Sequence, residues 1–311
     1  MDTVAKHNAT KYGVLLAIIG SITFSGKAII VKLGFNYGAD PITMLFWRMT
    51  FALPFFILMA WWASRDKQPL SFTEWFEIAI LGFLGFYLAS FLDFAGLKYI
   101  TASLERLILC VQPTLVLLFG WLLKKNKVNL YHILGIVISY TGIFLVFGQE
   151  AFSGSNKSVS LGTFLIFLST ISYALYLLFS GEIVKKIGSM RLVGLATSFA
   201  CIYCIIHFLV TRSPKYAFQV APEVIWLSLL NGFLCTVVPV LTTMMSVERI
   251  GAANSSQIGM LGPIFVITLG VLILDEPFTL FIVACALLVI CGIFIFLNAN
   301  KLSNLVFLGR K

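Results

Sequence analysis

The chain has 311 residues, of which 59% are hydrophobic and 11% are charged, and its formal net charge is +9. Its mean hydropathy is +0.98. Soluble domains carry about 25% charged residues and about 45–50% apolar residues, so this composition excludes a water-soluble fold and predicts a polytopic membrane protein.

Ten apolar runs follow one another along the chain, each long enough to cross a bilayer as a helix. They are continuous rather than alternating, which is typical of transmembrane helices and not of a β-barrel. The connections are short, so we expect no soluble domain on either side of the membrane. The predicted spans cover approximately residues 13–35, 41–63, 72–95, 102–123, 130–147, 161–181, 191–211, 224–246, 254–274 and 278–298.

The second half of the chain repeats the first at an offset of 150 residues. Leu97–Pro113 (LKYITASLERLILCVQP) aligns without a gap with Val247–Pro263 (VERIGAANSSQIGMLGP). Each half holds five predicted spans, and an odd number turns the second half upside down in the membrane. The predicted fold is therefore an all-α membrane protein with ten transmembrane helices as two inverted five-helix repeats, residues 1–149 and 150–311, divided at the polar stretch Gln149–Ser160.

Small residues cluster in the fourth, fifth, ninth and tenth predicted spans. Small side chains let helix backbones approach closely in lipid. The pattern predicts close packing of these spans, either within the chain or at a dimer face.

The basic residues lie mainly on one side of the predicted membrane. Cytoplasmic loops carry an excess of Lys and Arg, so both termini are predicted to be cytoplasmic in a bacterial inner membrane. The net charge thus reports topology and does not indicate a nucleic-acid partner. The fourteen cytoplasmic residues are Lys6, Lys11, Arg65, Lys67, Lys124, Lys125, Lys127, Lys185, Lys186, Arg191, Arg249, Lys301, Arg310 and Lys311, and the four external ones are Lys98, Lys157, Arg212 and Lys215.

Charged side chains within the spans of the first repeat are the candidate binding residues, because a charge at the bilayer centre costs about 2.5–3.5 kcal/mol on insertion scales. Lys27 lies mid-span, and both a pathway-lining role and a structural ion pair remain open for it. Glu105 and Arg106 are adjacent and point about 100° apart on a helix. The partner of Glu105 is therefore expected to be Lys27, Arg48 or Lys98.

The candidate charges of the first repeat are three cations (Lys27, Arg48 and Arg106) and two carboxylates (Asp93 and Glu105). Their net charge of +1 suits a zwitterion or a small anion. The matching positions of the second repeat carry milder, mainly hydroxyl-bearing side chains. The predicted substrate-binding residues are Lys27, Arg48, Asp93, Glu105, Arg106 and Ser25 in the first repeat, and Tyr173, Tyr176, Asn254 and Gln257 in the second.

Three phrases carry a resemblance to a known family: FSGKAIIVKLGF in the first span, GLKYITASLERLILCVQPTLVLL across the fourth, and ERIGAANSSQIGMLGPIFVITLGVLILDEP across the ninth. With the ten spans and the repeat, they make nearly the whole chain resemble the EamA family of the drug/metabolite transporter superfamily. The resemblance implies export or exchange of small metabolites through a central cavity. It leaves amino acids, nucleotide-related compounds, sugars and drugs open as substrates. The second repeat keeps the acidic ending of the family at Asp275–Pro277, whereas the first has Lys125 and Asn126 there.

The favoured function is a secondary transporter that exports amino acids or related zwitterionic or anionic compounds by alternating access, with multidrug efflux and lipid flipping as alternatives on the same fold. No P-loop is present, so ATP is not expected to drive transport directly. A proton as coupling ion and facilitated exchange both remain open, as do a monomer and a homodimer.

Other functional classes fit the sequence less well. An intramembrane enzyme would need paired carboxylates or a nucleophile with its base, and no such cluster appears. A channel would need a filter-like loop between spans. No cofactor or metal is expected, because Cys201 and Cys204 form a C-x-x-C without further ligands nearby.

Overall fold

The computed structural model describes residues 2–65, 67–124, 129–152 and 158–299 of the chain. The side chains of residues 2–10, 124, 251–254, 256 and 257 lie outside this description. Within these ranges every regular element is helical, which confirms the predicted all-α polytopic architecture. The predicted basic loop at 125–127 and most of the polar stretch that divides the repeats lie outside the described residues.

The first repeat contains seven helical segments that make five crossings. Its third and fourth crossings are each built from two segments. The helices are α1 (Asp2–Asn36), α2 (Pro41–Ser64), α3 (Phe72–Gly82), α4 (Ala89–Leu97), α5 (Ala102–Leu109), α6 (Gln112–Lys124) and α7 (Leu130–Phe152).

The second repeat follows the same plan with six segments. Its helices are α8 (Val159–Ile187), α9 (Ser189–Thr211), α10 (Pro222–Gly232), α11 (Val238–Gly259), α12 (Gly262–Leu274) and α13 (Leu280–Leu297).

Nine helical stretches in the described residues are long and apolar enough to cross a membrane, and Gly262–Leu274 is a shorter tenth. The predicted ninth span, 254–274, is therefore not one helix. Its first residues extend α11, which continues without a break through the predicted connection at 247–253. The fifth span is longer than predicted, because α7 runs on to Phe152 and takes in the start of the predicted polar stretch.

The two repeats break their helices at equivalent positions. Cys110–Val111 separates α5 from α6, and Met260–Leu261 separates α11 from α12, 150 residues later. A proline follows each break by two residues, and proline cannot donate the backbone hydrogen bond that would continue the preceding turn. Short π-helical segments also begin at matching positions, Phe83 and Phe233.

Glycine contacts show a two-fold relation between the repeats. A Cβ atom on Gly13 would lie 2.5 Å from Cγ2 of Ile250, and one on Gly162 would lie 2.7 Å from Cγ2 of Ile100. The partners exchange between repeats, as a two-fold axis requires. The start of α1 thus lies beside the end of the eighth crossing. We call the end of the bundle where α1 begins the near end, and the end where it finishes the far end.

The predicted close packing of small residues occurs within the chain, between α7 and α13. A Cβ on Gly142 would lie 2.8 Å from the carbonyl oxygen of Cys285, and one on Gly292 would lie 2.5 Å from the backbone nitrogen of Ser139. Backbone meets backbone at both places, so neither glycine can accept a side chain without moving a helix.

Gly142→Ala should therefore destabilise the protein by about 1–3 kcal/mol, the usual cost of overpacking. Gly148→Ala is the matched control in the same helix, since a Cβ there would meet no atom within 4 Å. Thermal unfolding in detergent measures both variants. Equal midpoints for the two would contradict the packing of α7 against α13.

Candidate functional site

A cavity of about 590 Å³ lies between the two repeats. Along α1 its lining runs from Ala17 to Lys27, a rise of about 15 Å at 1.5 Å per residue. Val247 and Leu297, both toward the near end, also line it. The volume is in the range of small-molecule sites, about 300–1,000 Å³.

A buried ion-pair triad closes this cavity toward the far end. The Nζ atom of Lys27 lies 2.5 Å from Oδ2 of Asp93 and 2.9 Å from Oε1 of Glu105. The three residues are 6%, 3% and 1% exposed. Lys27 and Asp93 line the cavity, whereas Glu105 lies behind them. Lys27 thus lines the cavity and also forms ion pairs. The two roles that the sequence left open for it do not exclude each other.

Arg48, on α2, contributes a buried guanidinium to the cavity wall. Its Nε donates a hydrogen bond to Oγ1 of Thr236 at 2.9 Å, and its Cζ lies 5.1 Å from the ring centroid of Phe94. The Nη1 atom is buried and has no hydrogen-bond partner among the described residues. Such a donor is costly to leave unpaired in a low-dielectric environment.

Arg106 places a second guanidinium in the cavity from α5. Its Cζ lies 5.0 Å from the ring centroid of Phe24, and Nζ of Lys27 lies 5.4 Å from the same ring. The Nε of Arg106 is buried and has no hydrogen-bond partner in the described part of the chain. Its guanidinium occupies the space beside Gly262, at the break between α11 and α12.

Within the described residues, the three cations of the site are not equally paired with carboxylates. Lys27 bonds both carboxylates, while neither Arg48 nor Arg106 forms an ion pair with a described carboxylate. One acceptor, Oδ1 of Asp93, is also buried without a partner. Residues that line the cavity therefore carry two cationic donors and one anionic oxygen without partners among the described residues.

Tyr173 and Tyr176 line the cavity from α8, as their inclusion in the predicted site requires. Their ring centroids lie 5.4 Å apart, and Phe86 packs edge-on against Tyr176 at 5.0 Å. The part of the wall that α8 contributes is thus partly aromatic. Asn254 and Gln257 have side chains outside the described residues.

Ser25 is buried but does not line the cavity. Its hydroxyl donates to the carbonyl oxygen of Ser21 at 2.7 Å and to that of Gly262 at 3.3 Å. Ser21, which does line the cavity, donates to the carbonyl oxygen of Gly259 at 3.5 Å. Ser21 thus reaches a carbonyl that the end of α11 leaves free, and Ser25 joins α1 to the first residue of α12, so both contacts support the scaffold.

Two polar residues of the second repeat contact Lys27 or Arg48, although neither was predicted from the sequence. Asn231 is fully buried and donates from Nδ2 to the carbonyl oxygen of Lys27 at 3.3 Å. Thr236, besides accepting from Arg48, donates to the carbonyl oxygen of Asn231 at 2.9 Å. The amide of Asn231 lies in mid-span, and a polar group in the membrane indicates a functional site in the same way as a charge does. In the described residues no group of three or more His, Cys, Asp or Glu side chains is placed to hold a metal.

The sequence profile of the EamA-like transporter family matches residues 11–148 and 160–298, which include both halves of this cavity. The chain belongs to the EamA-like transporter family. It is accordingly a multi-pass membrane transporter, and the profile matches each repeat separately.

Relatives of this EamA-like transporter come from bacteria, archaea and plants. The transporter YcbK of Bacillus subtilis is 27% identical over 274 residues, covering 85% of this chain and 86% of YcbK. A transporter of Archaeoglobus fulgidus is 23% identical over 90% of this chain and 96% of its own length. A WAT1-related protein of Arabidopsis thaliana is 21% identical, over 93% of this chain and 87% of its own.

The fold also matches that of a protein solved by crystallography. The TM-score is 0.62 at 16% identity, and the match covers 93% of this chain and 98% of the other. At this identity the likeness supports the fold alone.

Gly262→Ala should move the Arg106 guanidinium of this transporter and reduce transport while leaving it folded. A Cβ at that position would lie 1.9 Å from Nη2 of Arg106, the mobile end of a long side chain. Gly259→Ala is the control, because a Cβ there meets nothing within 4 Å. Transport in proteoliposomes and thermal unfolding separate the effects. Wild-type transport by Gly262→Ala would contradict a role for Arg106 at its observed position.

Proposed function

We propose that this transporter moves a small zwitterionic or anionic metabolite, such as an amino acid or a related compound, by alternating access. The observation that carries the proposal is that three residues lining one cavity each have a buried polar atom without a partner among the described residues: Nη1 of Arg48, Nε of Arg106 and Oδ1 of Asp93. Buried polar groups need partners, and a bound carboxylate with a nearby ammonium would supply all three.

The aromatic wall suits the remainder of such a substrate. Phe24, Phe86, Tyr173 and Tyr176 leave an apolar surface beside the cations. Ligand sites commonly combine an apolar lining with a few polar groups that fix orientation. The proposed site residues are Lys27, Arg48, Asp93, Arg106, Tyr173 and Tyr176, with Glu105 and Ser25 acting from behind the wall.

Export is the direction we propose, with both termini in the cytoplasm. The positive-inside bias supports a cytoplasmic near end. The cavity lining extends to that end, so substrate would load from the cytoplasm and leave after the far end opens. Rocking of one inverted repeat against the other around a fixed site is the general mechanism for this architecture.

Reconstituted protein tests the substrate class directly. Proteoliposomes should be loaded with a panel of amino acids and related zwitterions, monocarboxylates, organic cations and a fluorescent phospholipid. We expect efflux of zwitterions or monocarboxylates and none of the other two classes. Efflux of organic cations alone would favour multidrug efflux, and lipid translocation would favour a flippase. Repeating the assay with imposed pH gradients decides between proton coupling and facilitated exchange.

A further inference from the structure

Two carboxylates from different parts of the chain converge at the far end of the bundle on the first turn of α5. Glu276, after α12, accepts from the backbone nitrogen of Ala102 at 2.7 Å and from the hydroxyl of Ser103 at 2.7 Å. The backbone nitrogen of Ser103 also donates to it, at 3.3 Å. The first amides of a helix have no partner within the helix, and the helix dipole favours an anion there.

Glu150 completes the same cluster from the end of α7. It accepts from the backbone nitrogen of Thr101 at 3.3 Å and from the Thr101 hydroxyl. That hydroxyl also caps the helix by accepting from the backbone nitrogen of Leu104 at 3.1 Å. Lys32 of α1 interacts electrostatically with both carboxylates. Glu150 and Glu276, with Thr101–Ser103, form what we call the far-end latch.

The latch lies on the opposite side of the triad from the cavity. It fixes the start of α5, the helix that carries Glu105 and Arg106 one turn further along. Glu276 belongs to the second repeat and the helix it caps belongs to the first. These bonds therefore join the repeats, and opening of the far end by relative motion of the repeats has to break them.

The sequence at the repeat-related positions has none of these groups. An offset of 150 residues pairs Glu276 with Asn126 and Glu150 with Asn300. The two hydroxyl donors are likewise replaced, since the counterparts of Thr101 and Ser103 are Gly251 and Ala253. The positions related to the latch by the repeat thus carry neither its carboxylates nor its hydroxyls.

We infer that Glu276 is a gate residue that holds the far end closed, that Glu150 positions the same turn from within the first repeat, and that the lack of a counterpart at the repeat-related positions biases the empty transporter toward the state open at the near end. The inference rests on the alternating access proposed above. An interaction made in only one of two states shifts their populations by its full differential free energy. The backbone differs there as well, because α11 continues through 247–253 and the second repeat has no helix start at the counterpart of Thr101–Ser103.

Thiol accessibility of Cys110 tests the latch without any substrate. Cys110 lines the cavity one turn past Arg106 and serves as the single reporter when the other five cysteines are replaced by alanine or serine. Membrane vesicles of both orientations are treated with a membrane-impermeant methanethiosulfonate reagent. In the parent protein the reaction should be faster from the near face. In Glu150→Gln/Glu276→Gln the far-face rate should rise by about tenfold or more, because charge-assisted hydrogen bonds are among the stronger ones.

Glu74→Gln is the matched control. Glu74 caps its own helix, α3, through Ser71 in a capping box confined to one segment, so its loss removes similar chemistry without joining the repeats. Its far-face rate should equal that of the parent. An unchanged far-face rate in the double variant, or an equal rise in the control, would overturn the latch.

Ser103→Ala serves as a milder variant should the double variant fail to fold. It removes one hydroxyl donor to Glu276, and we expect a rise of about threefold in the far-face rate; no rise would overturn the inference. The readout is independent of the substrate assay. If no panel compound is transported yet the far-face rate responds, the proposed substrate class fails and the latch stands. If transport occurs and the rate does not respond, the latch alone fails.

Discussion

Lys27→Ala should abolish transport and lower the free energy of unfolding by about 3–5 kcal/mol, the usual cost of breaking a buried ion pair by removing one partner. The variant leaves the carboxylates of Asp93 and Glu105 buried together without the ammonium that both contact. Both carboxylates are under 5% exposed in the intact triad, so each loses its cationic partner in a site with little water around it. Thermal unfolding and efflux in proteoliposomes measure the two losses separately.

A neutralised triad separates the structural contribution of Lys27 from its function. In Lys27→Met/Asp93→Asn/Glu105→Gln no charge remains at the three triad positions, so most of the stability should return while transport stays absent. Lys98→Ala, at an exposed lysine, is the control and should match the wild type. Wild-type efflux by Lys27→Ala would remove the triad from the transport pathway.

Arg106→Ala should weaken substrate binding by at least about thirtyfold, equivalent to about 2 kcal/mol or more for a lost charge-assisted contact. Arg106→Lys should recover little, because an ammonium cannot reproduce the two parallel donors of a guanidinium. Folding should be nearly unaffected, since Arg106 has no ion-pair partner among the described residues. Binding of the transported compound to purified protein, followed by calorimetry, gives the ratio.

Two comparisons make the result specific to a carboxylate. The decarboxylated amine of the substrate should bind wild type and Arg106→Ala with similar affinity, because it lacks the group that Arg106 contacts. Arg65→Ala removes a guanidinium stacked on Trp61 at 3.9 Å on the exposed surface and should change neither affinity. Equal losses for the acid and the amine would contradict recognition of a carboxylate by Arg106.

The repeat and the span count could be read from the sequence because they depend on local features. Continuous apolar runs fix the spans, and glycines and prolines recur at the offset of 150 residues. The ninth span was wrong as a single helix. Pro263 marks the break correctly, but the run of small and polar residues before it favours either a loop or a helix. In the structure those residues extend α11 without interruption.

The pairing of the intramembrane charges was only partly predictable. Helical geometry separates Glu105 from Arg106 and leaves three candidate partners for Glu105. The choice of Lys27 depends on how helices 78 residues apart pack, and that information is not local. The polarity of Ser25 led to its prediction as a binding residue. In the structure its hydroxyl donates to the carbonyl oxygen of Gly262 instead, and this contact also depends on packing.

The contact of Glu276 with α5 could not be predicted either, because it also depends on packing between distant segments. In the sequence it is one residue of an acidic loop. In space it caps a helix that begins at Ala102 in the other repeat. Only the fold brings a helix N-terminus and a distant carboxylate together, so no pattern in either segment alone predicts the contact.

Counterflow in proteoliposomes tests the central claim most directly, namely that this family member is a carrier with alternating access through the cavity of Arg48 and Arg106. Vesicles are loaded with a high concentration of the transported compound and diluted into a trace of its labelled form, without ATP or an ion gradient. We expect the label to accumulate transiently inside the vesicles above its outside concentration with the wild type, and not with Arg106→Ala. Simple equilibration of label without an overshoot, or an overshoot of equal size in Arg106→Ala, would contradict it.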